Sequence, residues 1–535
     1  MNRPNILWIS LEDTSPRFGC YGDEVARTPN IDRLAAKGCI YPCAFSVAGV
    51  CAPSRSAIIT GMYPTSIGTH QMRTTHTVDP ARPLPYSACP PPHVKCFTEY
   101  LRGAGYFCTN NAKTDYQFTP PFTAWDELSK EAHWRNRPED APFFAVFNPT
   151  ATHESGMWEE KHEGRPLGTD IDTVELPPYL PDTEPSRRAL ARHYDNIETA
   201  DQRVGELLDQ LEQDGLVDNT IVVLWSDHGE GLPRAKRWPY DAGIRIPLIV
   251  RWPGRVKAGS VDERLVSLID LGPTMLSITG SLRPRHLQGQ PFLGDDTKVR
   301  QYIFASRDRH DEAYDRVRAV RDRRYKYLRH YYPEQPYLPW NPYRNRHPVM
   351  AEMWRLYREN TLDHDQRLLF VAPRPVEELY DTKADPFEMV NLAADPEYQK
   401  VLVRLRAALQ DWQVRVGDLG EVAEEEMLRR WWPNGEQPTT APVRFVPIAA
   451  ETPGLEVMSD GSFNAPCRLQ LQCPTQGASL TYRTGTEGRW QLYTEPIDLP
   501  PGTTTVRARA VRIGFVDSVE AKATFTVGAS ESAAG

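Results

Sequence analysis

The chain has 535 residues, of which 40% are hydrophobic and 25% are charged, a composition typical of globular proteins. Because domains run to roughly 100–200 residues, this length predicts more than one domain. The formal net charge of −9 excludes a protein that binds nucleic acid or another polyanion through bulk positive charge. The sequence has no apolar run of the roughly 18 residues that a membrane-spanning helix requires.

The N-terminus predicts no signal peptide in this chain. A continuous apolar segment, Asn5–Leu11, begins almost at once, and no basic stretch followed by an apolar one precedes it. We therefore expect a cytoplasmic protein or, if a leader was removed from a longer precursor, a periplasmic or extracellular one.

Strand-like and helix-like segments alternate through residues 1–370. Continuous apolar runs, typical of strands buried on both faces, predict strands at 5–11, 142–147 and 220–225. A Gly stop predicts a short helix at 31–38, and apolar residues at helical spacing predict a long helix over 186–213. This order predicts an α/β domain with helices flanking the sheet and ligands beyond the carboxyl ends of the strands. The polar residues at those ends are Glu12, Asp13, Asp227 and His228.

The remaining chain changes character twice. Residues 371–438 contain a predicted helix from Tyr398 to Val414 and end in a Pro- and Thr-rich linker. Residues 439–530 carry short alternating strands separated by turn residues, which predicts a β-sandwich. We therefore predict three domains with the boundaries 1–370, 371–438 and 439–530.

The motif Cys51-Ala52-Pro53-Ser54-Arg55 carries the strongest functional signal. A cysteine near a proline is in general a small buried hydrophobe. Here, however, the run continues through Thr60-Gly61-Met62-Tyr63-Pro64, and the whole window resembles the C-x-P-x-R region of type I sulfatases of the alkaline phosphatase superfamily. In that family a formylglycine-generating maturation enzyme oxidises the cysteine to an aldehyde. The resemblance implies an alkaline-phosphatase-like mixed sheet flanked by helices, with a small C-terminal subdomain.

Several other motifs resemble this family in the order that it requires. Phe18–Gly22 is similar to a family G-C-Y-G run, Ser226–Gly229 to S-D-[NH]-G, and Glu378–Asp381 to the E-L-Y-D of the C-terminal subdomain. The β-sandwich would be an addition, similar to the immunoglobulin-like module of chitobiases.

The resemblance also implies a metal site. Its ligands would come from the residue at position 51 and from the carboxylates and the imidazole after two strands, with Glu12 standing where most sulfatases have Asp. The expected cofactor is one Ca²⁺ ion, although His228 leaves another divalent metal open. The predicted ligands are Glu12, Asp13, Cys51, Asp227 and His228.

Catalytic roles are implied for four residues besides Cys51. Arg55 would orient the modified residue 51, Lys113 and Lys236 would contact the sulfate, and His153 would protonate the leaving oxygen, as its unperturbed pKa near 6.5 allows. The family has a His two positions after the first of these lysines, where this chain has Asp115. We expect Asp115 to orient Lys113 or to contact the substrate.

The substrate is predicted to be a sulfate ester or a sulfamate of a carbohydrate, and specifically of a glycosaminoglycan fragment. The charged segment Arg307–Arg316 is similar to segments of heparan-type sulfatases and of N-sulfoglucosamine sulfohydrolase, which implies substrate contacts from Arg307 and His310. A solvated charged loop is the simpler interpretation of this segment. Two other functions stay open, namely a phosphonate monoester or phosphodiester hydrolase of the same superfamily and a catalytically inactive carbohydrate-binding protein. The oligomeric state is left open.

Overall fold

The first strand lies at the centre of a large sheet in the computed structural model, which describes residues 3–72, 85–162, 165–311, 313–454, 456–485 and 488–529. Eight strands form this sheet in the order β5-β4-β6-β1-β7-β8-β2-β9, and β3 and β10 form a separate parallel pair. All neighbours in the sheet are parallel except β8, which is antiparallel to both β7 and β2. These strands are β1 (Asn5–Leu11), β2 (Cys39–Ile40), β3 (Ala44–Phe45), β4 (Phe107–Asn111), β5 (Glu127–Ser129), β6 (Phe143–Phe147), β7 (Thr220–Ser226), β8 (Leu248–Arg251), β9 (Ser260–Val261) and β10 (Val266–Ser267).

Helices cover both faces of the sheet because β1 is apolar on both sides. Leu7 and Ile9 pack into a core with α1, α5 and α8, whereas Ile6 and Trp8 pack on the opposite face with α2, α4 and α7. The predicted α/β fold is confirmed, as is the long helix, which runs over Glu184–Gln213. The helices are α1 (Pro29–Ala36), α2 (Cys51–Thr60), α3 (Pro64–Ile67), α4 (Phe97–Gly103), α5 (Glu184–Gln213), α6 (Asp241–Ile244), α7 (Leu271–Ile278), α8 (Pro348–Glu359), α9 (His364–Leu368), α10 (Gln399–Val416) and α11 (Glu424–Trp431).

A second, four-stranded antiparallel sheet packs beside the first one. Its order is β11-β12-β13-β14, and apolar residues of α10 such as Leu405 and Trp412 share a core with it. Three of its strands precede residue 371, so this sheet crosses the predicted boundary at residue 370. The strands are β11 (Ile303–Arg307), β12 (Val317–Arg321), β13 (Tyr325–His330) and β14 (Glu377–Asp381).

Two sheets that share one apolar core form the C-terminal region, as the alternating pattern predicts. One has the order β15-β17-β20 and the other β16-β22-β21-β18-β19. Residue 530, with which the predicted third domain ends, lies outside the described residues. The strands are β15 (Arg444–Ile448), β16 (Asp460–Phe463), β17 (Cys467–Gln472), β18 (Ser479–Thr484), β19 (Gln491–Leu492), β20 (Ile497–Leu499), β21 (Gly502–Val511) and β22 (Ala521–Val527).

The β-sandwich packs on the large domain through a few specific contacts. Ile513 is buried in the same core as Trp8, on one face of the large sheet. Arg489 forms a 2.6 Å ion pair with Asp126, and the Lys95 ammonium donates to the Ser479 hydroxyl at 2.8 Å. Among the described residues, none of the helices is long and apolar enough to cross a membrane.

A glycine at this contact gives a test of how firmly the sandwich is held. Gly514 has a φ of +85°, and a Cβ added there would lie 2.5 Å from the Ala88 carbonyl oxygen. Gly502 has a φ of +102° but open space around it. The left-handed backbone alone costs a residue with a Cβ roughly 1–2 kcal/mol. We therefore expect Gly514→Ala to lower the thermal unfolding midpoint, and to speed proteolysis of the linker near residue 436, more than Gly502→Ala does. Equal effects of the two substitutions would contradict a docked sandwich.

Candidate active site

The ends of β1 and β7 bring the predicted acidic residues together. The two strands pair in register through Leu11 and Ser226, so Asp13 and Asp227 leave the sheet side by side. The Asp13 backbone N–H donates to Asp227 Oδ1 at 3.2 Å, and both carboxylates are fully buried. Asp13 adopts a φ of +46°, a conformation that costs energy and is typical of functional sites.

Cys51 faces these carboxylates from the first turn of α2. Its sulfur lies 3.3 Å from His228 Nε2 and 3.9 Å from Asp13 Oδ1, and the residue is only 2% exposed. The N-terminus of α2 has no side-chain cap, so its backbone N–H groups favour negative charge at this position. Burial acts to raise the pKa of the Cys51 thiol, but Lys236, His228 and Lys113 outweigh it and the pKa is lowered.

The donor set fits a divalent cation. One ligand atom from each of Asp13, Cys51 and His228 lies within 4.8 Å of the other two, and the same is true of Glu12, Cys51 and Asp227. His228 Nδ1 lies 2.9 Å from the Gly229 carbonyl oxygen, which holds a proton on Nδ1 and turns Nε2 towards the cluster, 3.0 Å from Asp13 Oδ1. Three buried carboxylates and one imidazole favour a hard or borderline divalent ion. The predicted ligands therefore lie together, and their role as ligands remains a prediction.

Three cations balance this negative charge. The Lys236 ammonium donates to Asp13 Oδ2 at 2.6 Å, Lys113 pairs with Glu12, and Arg55 Nε donates to Asp227 Oδ2 at 2.9 Å. Burial acts to lower the pKa of Lys236, but Asp13, Cys51 and Glu154 outweigh it and raise the pKa well above its usual value. Each carboxylate that follows β1 or β7 thus has its own cation.

The structure also shows two residues that the sequence motifs do not indicate, Asn110 and Asn148. Arg55 Nη1 donates to Asn148 Oδ1 at 2.8 Å, and Asn148 Nδ2 donates in turn to Asn110 Oδ1 at 2.8 Å. Asn110 Nδ2 then donates to the Lys113 carbonyl oxygen at 2.8 Å. Both asparagines stand at strand ends, after β6 and within β4, and this was the available signal for them. They tie Arg55 and Lys113 into one network.

A second missed pair, Glu154 and Arg237, lies behind Lys236. The Arg237 guanidinium donates to both Glu154 oxygens at 2.9 and 2.7 Å, and Lys236 Nζ lies 3.1 Å from Glu154 Oε1. The Glu154 backbone N–H donates to Asp13 Oδ2 at 2.6 Å. The pair therefore orients both Lys236 and the Asp13 carboxylate.

His153 presents its Nε2 to the site, 3.4 Å from Lys236 Nζ. His153 Nδ1 lies 2.8 Å from the Ser155 hydroxyl and accepts from the Ser155 backbone N–H at 3.3 Å, so these contacts hold Nδ1 away from the cluster and turn Nε2 towards it. Burial and Lys236 act to lower the pKa of His153, but Asp13, Cys51 and Glu12 outweigh them and the pKa is raised. His153 is thus held with Nε2 towards the cluster, and the negative groups there favour its protonated form.

Asp115 stands at the edge of the site with 44% of its side chain exposed. Its Oδ2 lies 3.2 Å from the Lys113 ammonium. The loop around it is strained, since Ala112, Asp115 and Gln117 all have positive φ values. Asp115 is therefore placed both to hold Lys113 and to meet a ligand from solvent.

The remaining two predicted residues are buried in the charged segment. His310 forms a β-bridge with Met72, which packs against Val50 and Ala52 on either side of Cys51. Arg307 is ion-paired with Asp315 at 3.1 Å and is 2% exposed. His310 thus lies beside the site, whereas the buried guanidinium of Arg307 is paired with Asp315. Their roles as substrate residues remain predictions.

The comparisons with known proteins agree with this geometry. Residues 4–281 match the family model for sulfatases, and residues 229–364 match that for the C-terminal region of N-sulphoglucosamine sulphohydrolase. An ulvan-active sulfatase of Formosa agariphila is 43% identical over 96% of this chain and 90% of its own length. Human N-sulphoglucosamine sulphohydrolase is 27% identical over 77% of this chain and 90% of its own. A solved 2-O GAG sulfatase superposes with a TM-score of 0.57 at 21% identity, over 79% of this chain and 94% of that one.

The buried site lies at the carboxyl edge of a mixed sheet, and the family models and the relatives are those of sulfatases. The protein is therefore a sulfuric ester hydrolase. The chain belongs to the sulfatase family. The predicted family and fold are confirmed.

Metal removal tests the predicted cation site. Dialysis against a chelator should lower the unfolding temperature, because a ligand present at a hundred times its Kd stabilises the folded state by about 2.7 kcal/mol. When Ca²⁺, Mg²⁺ or Mn²⁺ is added back separately, the preferred ion should restore the unfolding temperature. Elemental mass spectrometry gives the number of metal ions bound per protein. The Asp227→Asn variant should lose this metal-dependent shift. An unfolding temperature indifferent to both chelator and metals would exclude the site.

Substitution of Asn148 tests the network that holds Arg55. Asn148→Leu keeps the branched shape of the side chain but leaves Arg55 Nη1 without its acceptor, so kcat/KM for sulfate release should fall roughly ten- to hundredfold. Asn148→Asp keeps an oxygen for Arg55 and should retain more activity. If the two variants lose activity equally while both stay folded by circular dichroism, the contact to Arg55 is not what matters.

Proposed function

We propose that this sulfatase hydrolyses a sulfate ester of a carbohydrate, using formylglycine formed from Cys51 and a divalent metal, with Ca²⁺ the first candidate. The observation that carries the proposal is the position of Cys51, at the first turn of a helix and facing a buried cluster of carboxylates and cations. A thiol lacks the two hydroxyls of a hydrated aldehyde, one of which attacks sulfur while the other allows sulfate to be released. The motif and this position together support the modification.

The roles of the side chains follow from where their charges lie. Lys113 and Lys236 flank position 51 and would balance negative charge as it builds up on the sulfate oxygens. Arg55 is held by Asp227 and Asn148, so its planar group would orient residue 51. His153, whose Nε2 is turned towards the site, would donate a proton to the departing oxygen.

The two groups that the site would carry supply the remaining chemistry. A hydrated formylglycine offers one hydroxyl to attack sulfur and a second whose deprotonation releases inorganic sulfate and restores the aldehyde. A divalent cation held by Glu12, Asp13, Asp227 and His228 would supply the positive charge that lowers the pKa of the attacking hydroxyl.

Sulfated polysaccharides are the proposed substrates. Ulvan is the first to test, because the relative at 43% identity is named for activity on it, and glycosaminoglycan fragments come next in view of the N-sulphoglucosamine sulphohydrolase match. Asp115, half-exposed at the rim of the site, would accept a hydrogen bond from a sugar hydroxyl. His310, beside Met72, would lie close to the bound sugar.

The maturation state of Cys51 and the release of sulfate provide the test. In protein co-produced with a formylglycine-generating enzyme, the Cys51 peptide should lose about 18 Da, because one oxygen replaces sulfur and two hydrogens. Such protein should release sulfate from ulvan or glycosaminoglycan fragments, and Cys51→Ala should not.

The same assay separates the competing functions. Faster hydrolysis of phosphonate monoesters than of any sulfate ester would favour the phosphonate hydrolase. A Cys51 that stays a thiol beside a converted control sulfatase, together with tight binding of sulfated sugar, would favour an inactive binding protein.

A further inference from the structure

One exposed indole stands out on the segment that follows β13. Trp340 is 65% exposed, although tryptophan is highly buried on average in folded proteins. Its ring lies 5.8 Å from that of Trp354, which is fixed in turn by a 3.1 Å hydrogen bond from its indole N–H to Asn345 Oδ1. Trp340 therefore presents an aromatic surface to solvent while its ring packs beside that of Trp354.

The backbone that carries Trp340 is held firmly. The next residue, Asn341, is buried, and its Nδ2 donates to Asp311 Oδ2 at 3.2 Å and to the His310 carbonyl oxygen at 3.4 Å. Asn341 Oδ1 accepts from the Arg344 backbone N–H at 2.9 Å. The hydrogen bonds of the buried Asn341 side chain thus fix the turn over residues 339–344, which carries Trp340.

Two independent routes of contact connect this turn to the active site. The first runs from Asn341 through His310 and its bridge with Met72, which packs on the residues flanking Cys51. The second runs through Tyr343, whose ring centroid lies 5.8 Å from the Arg237 guanidinium carbon, and Arg237 pairs with Glu154. The turn is therefore linked to the site through His310 on one side and through Arg237 on the other, and its most exposed side chain is a large flat ring.

We propose that Trp340 forms an outer sugar subsite that stacks against a pyranose ring at least two units away from the sulfated one, beyond the reach of a disaccharide. This inference rests on the proposed carbohydrate substrate. A pyranose presents a face of C–H groups with its hydroxyls at the rim, which matches the apolar face of an indole and leaves the hydroxyls in water. Rigid aromatic side chains provide such contact area with little loss of conformational entropy.

The subsite predicts a preference for long substrates. A monosaccharide or disaccharide sulfate would occupy the reaction centre alone, whereas an oligosaccharide would gain the additional stacking contact. The gain should appear mainly in KM, because the contact is made equally in the ground state and the transition state.

Paired substrates of different length test the subsite. Sulfate release is measured for ulvan polymer and for a sulfated disaccharide prepared from it, with the wild type, Trp340→Ala and Trp340→Phe. Trp340→Ala should raise KM for the polymer about five- to tenfold and leave the disaccharide unchanged, while Trp340→Phe should recover part of the loss. Phe387→Ala, at another exposed aromatic residue (44% exposed), is the matched control and should behave as the wild type.

Binding measured without turnover separates this inference from the proposed function. Calorimetry of Cys51→Ala protein with ulvan tetrasaccharide should give a Kd that rises five- to tenfold when Trp340→Ala is added. Equal affinities, no binding to either protein, or equal losses on both substrates would overturn the subsite. Wild-type protein that releases no sulfate while the tetrasaccharide still binds through Trp340 would contradict the hydrolysis and leave the subsite supported.

Discussion

The pairing of buried charges at the ends of β1 and β7 is the constraint on which the rest of this structure depends. Glu12, Asp13 and Asp227 lie where an isolated charge would cost several kcal/mol in lost hydration. Each is paired with a cation that arrives from a different part of the chain, Lys113, Lys236 and Arg55 respectively. The site is thus neutralised by long-range contacts, and it exists only when the whole domain is folded.

Two sets of residues support this charge pairing: those that bring the charged groups together and those that hold these groups in place. The sheet brings the two acidic strand ends into register, and α2 presents Cys51 and Arg55 from one side. Behind them, Glu154 and Arg237 hold Lys236, and Asn148 and Asn110 hold Arg55 and the Lys113 loop. These supporting contacts are hydrogen bonds and ion pairs, so the charged residues that they hold have little freedom to change conformation.

The sequence permits prediction of most first contacts and few of the supporting ones. Strands such as Asn5–Leu11 are mostly apolar, and the residues at their ends fall where α/β folds bind ligands, so the acidic cluster is predictable. Asn148 and Glu154 were missed because a single asparagine or glutamate in a loop has no periodicity and no motif. The role of Arg307 rests on the resemblance of its charged segment to heparan-type sulfatases, and that resemblance does not reveal that Asp315 already pairs with its guanidinium. The sheet β11–β14 was divided at residue 370 because β14 is separated from β13 by two helices, and strand pairing across such a distance leaves no local signal.

The burial of Cys51 has a consequence for how the protein is made. Every residue of α2 is buried, and the sulfur is enclosed by His228 and Asp13. A second enzyme that must grasp this segment as an extended peptide cannot reach it once the helix has packed. In the proposed scheme, conversion to formylglycine must therefore compete in time with folding, during or soon after synthesis. The fraction of active molecules would then be decided by the ratio of two rates, and a chain that folds first would stay permanently inactive.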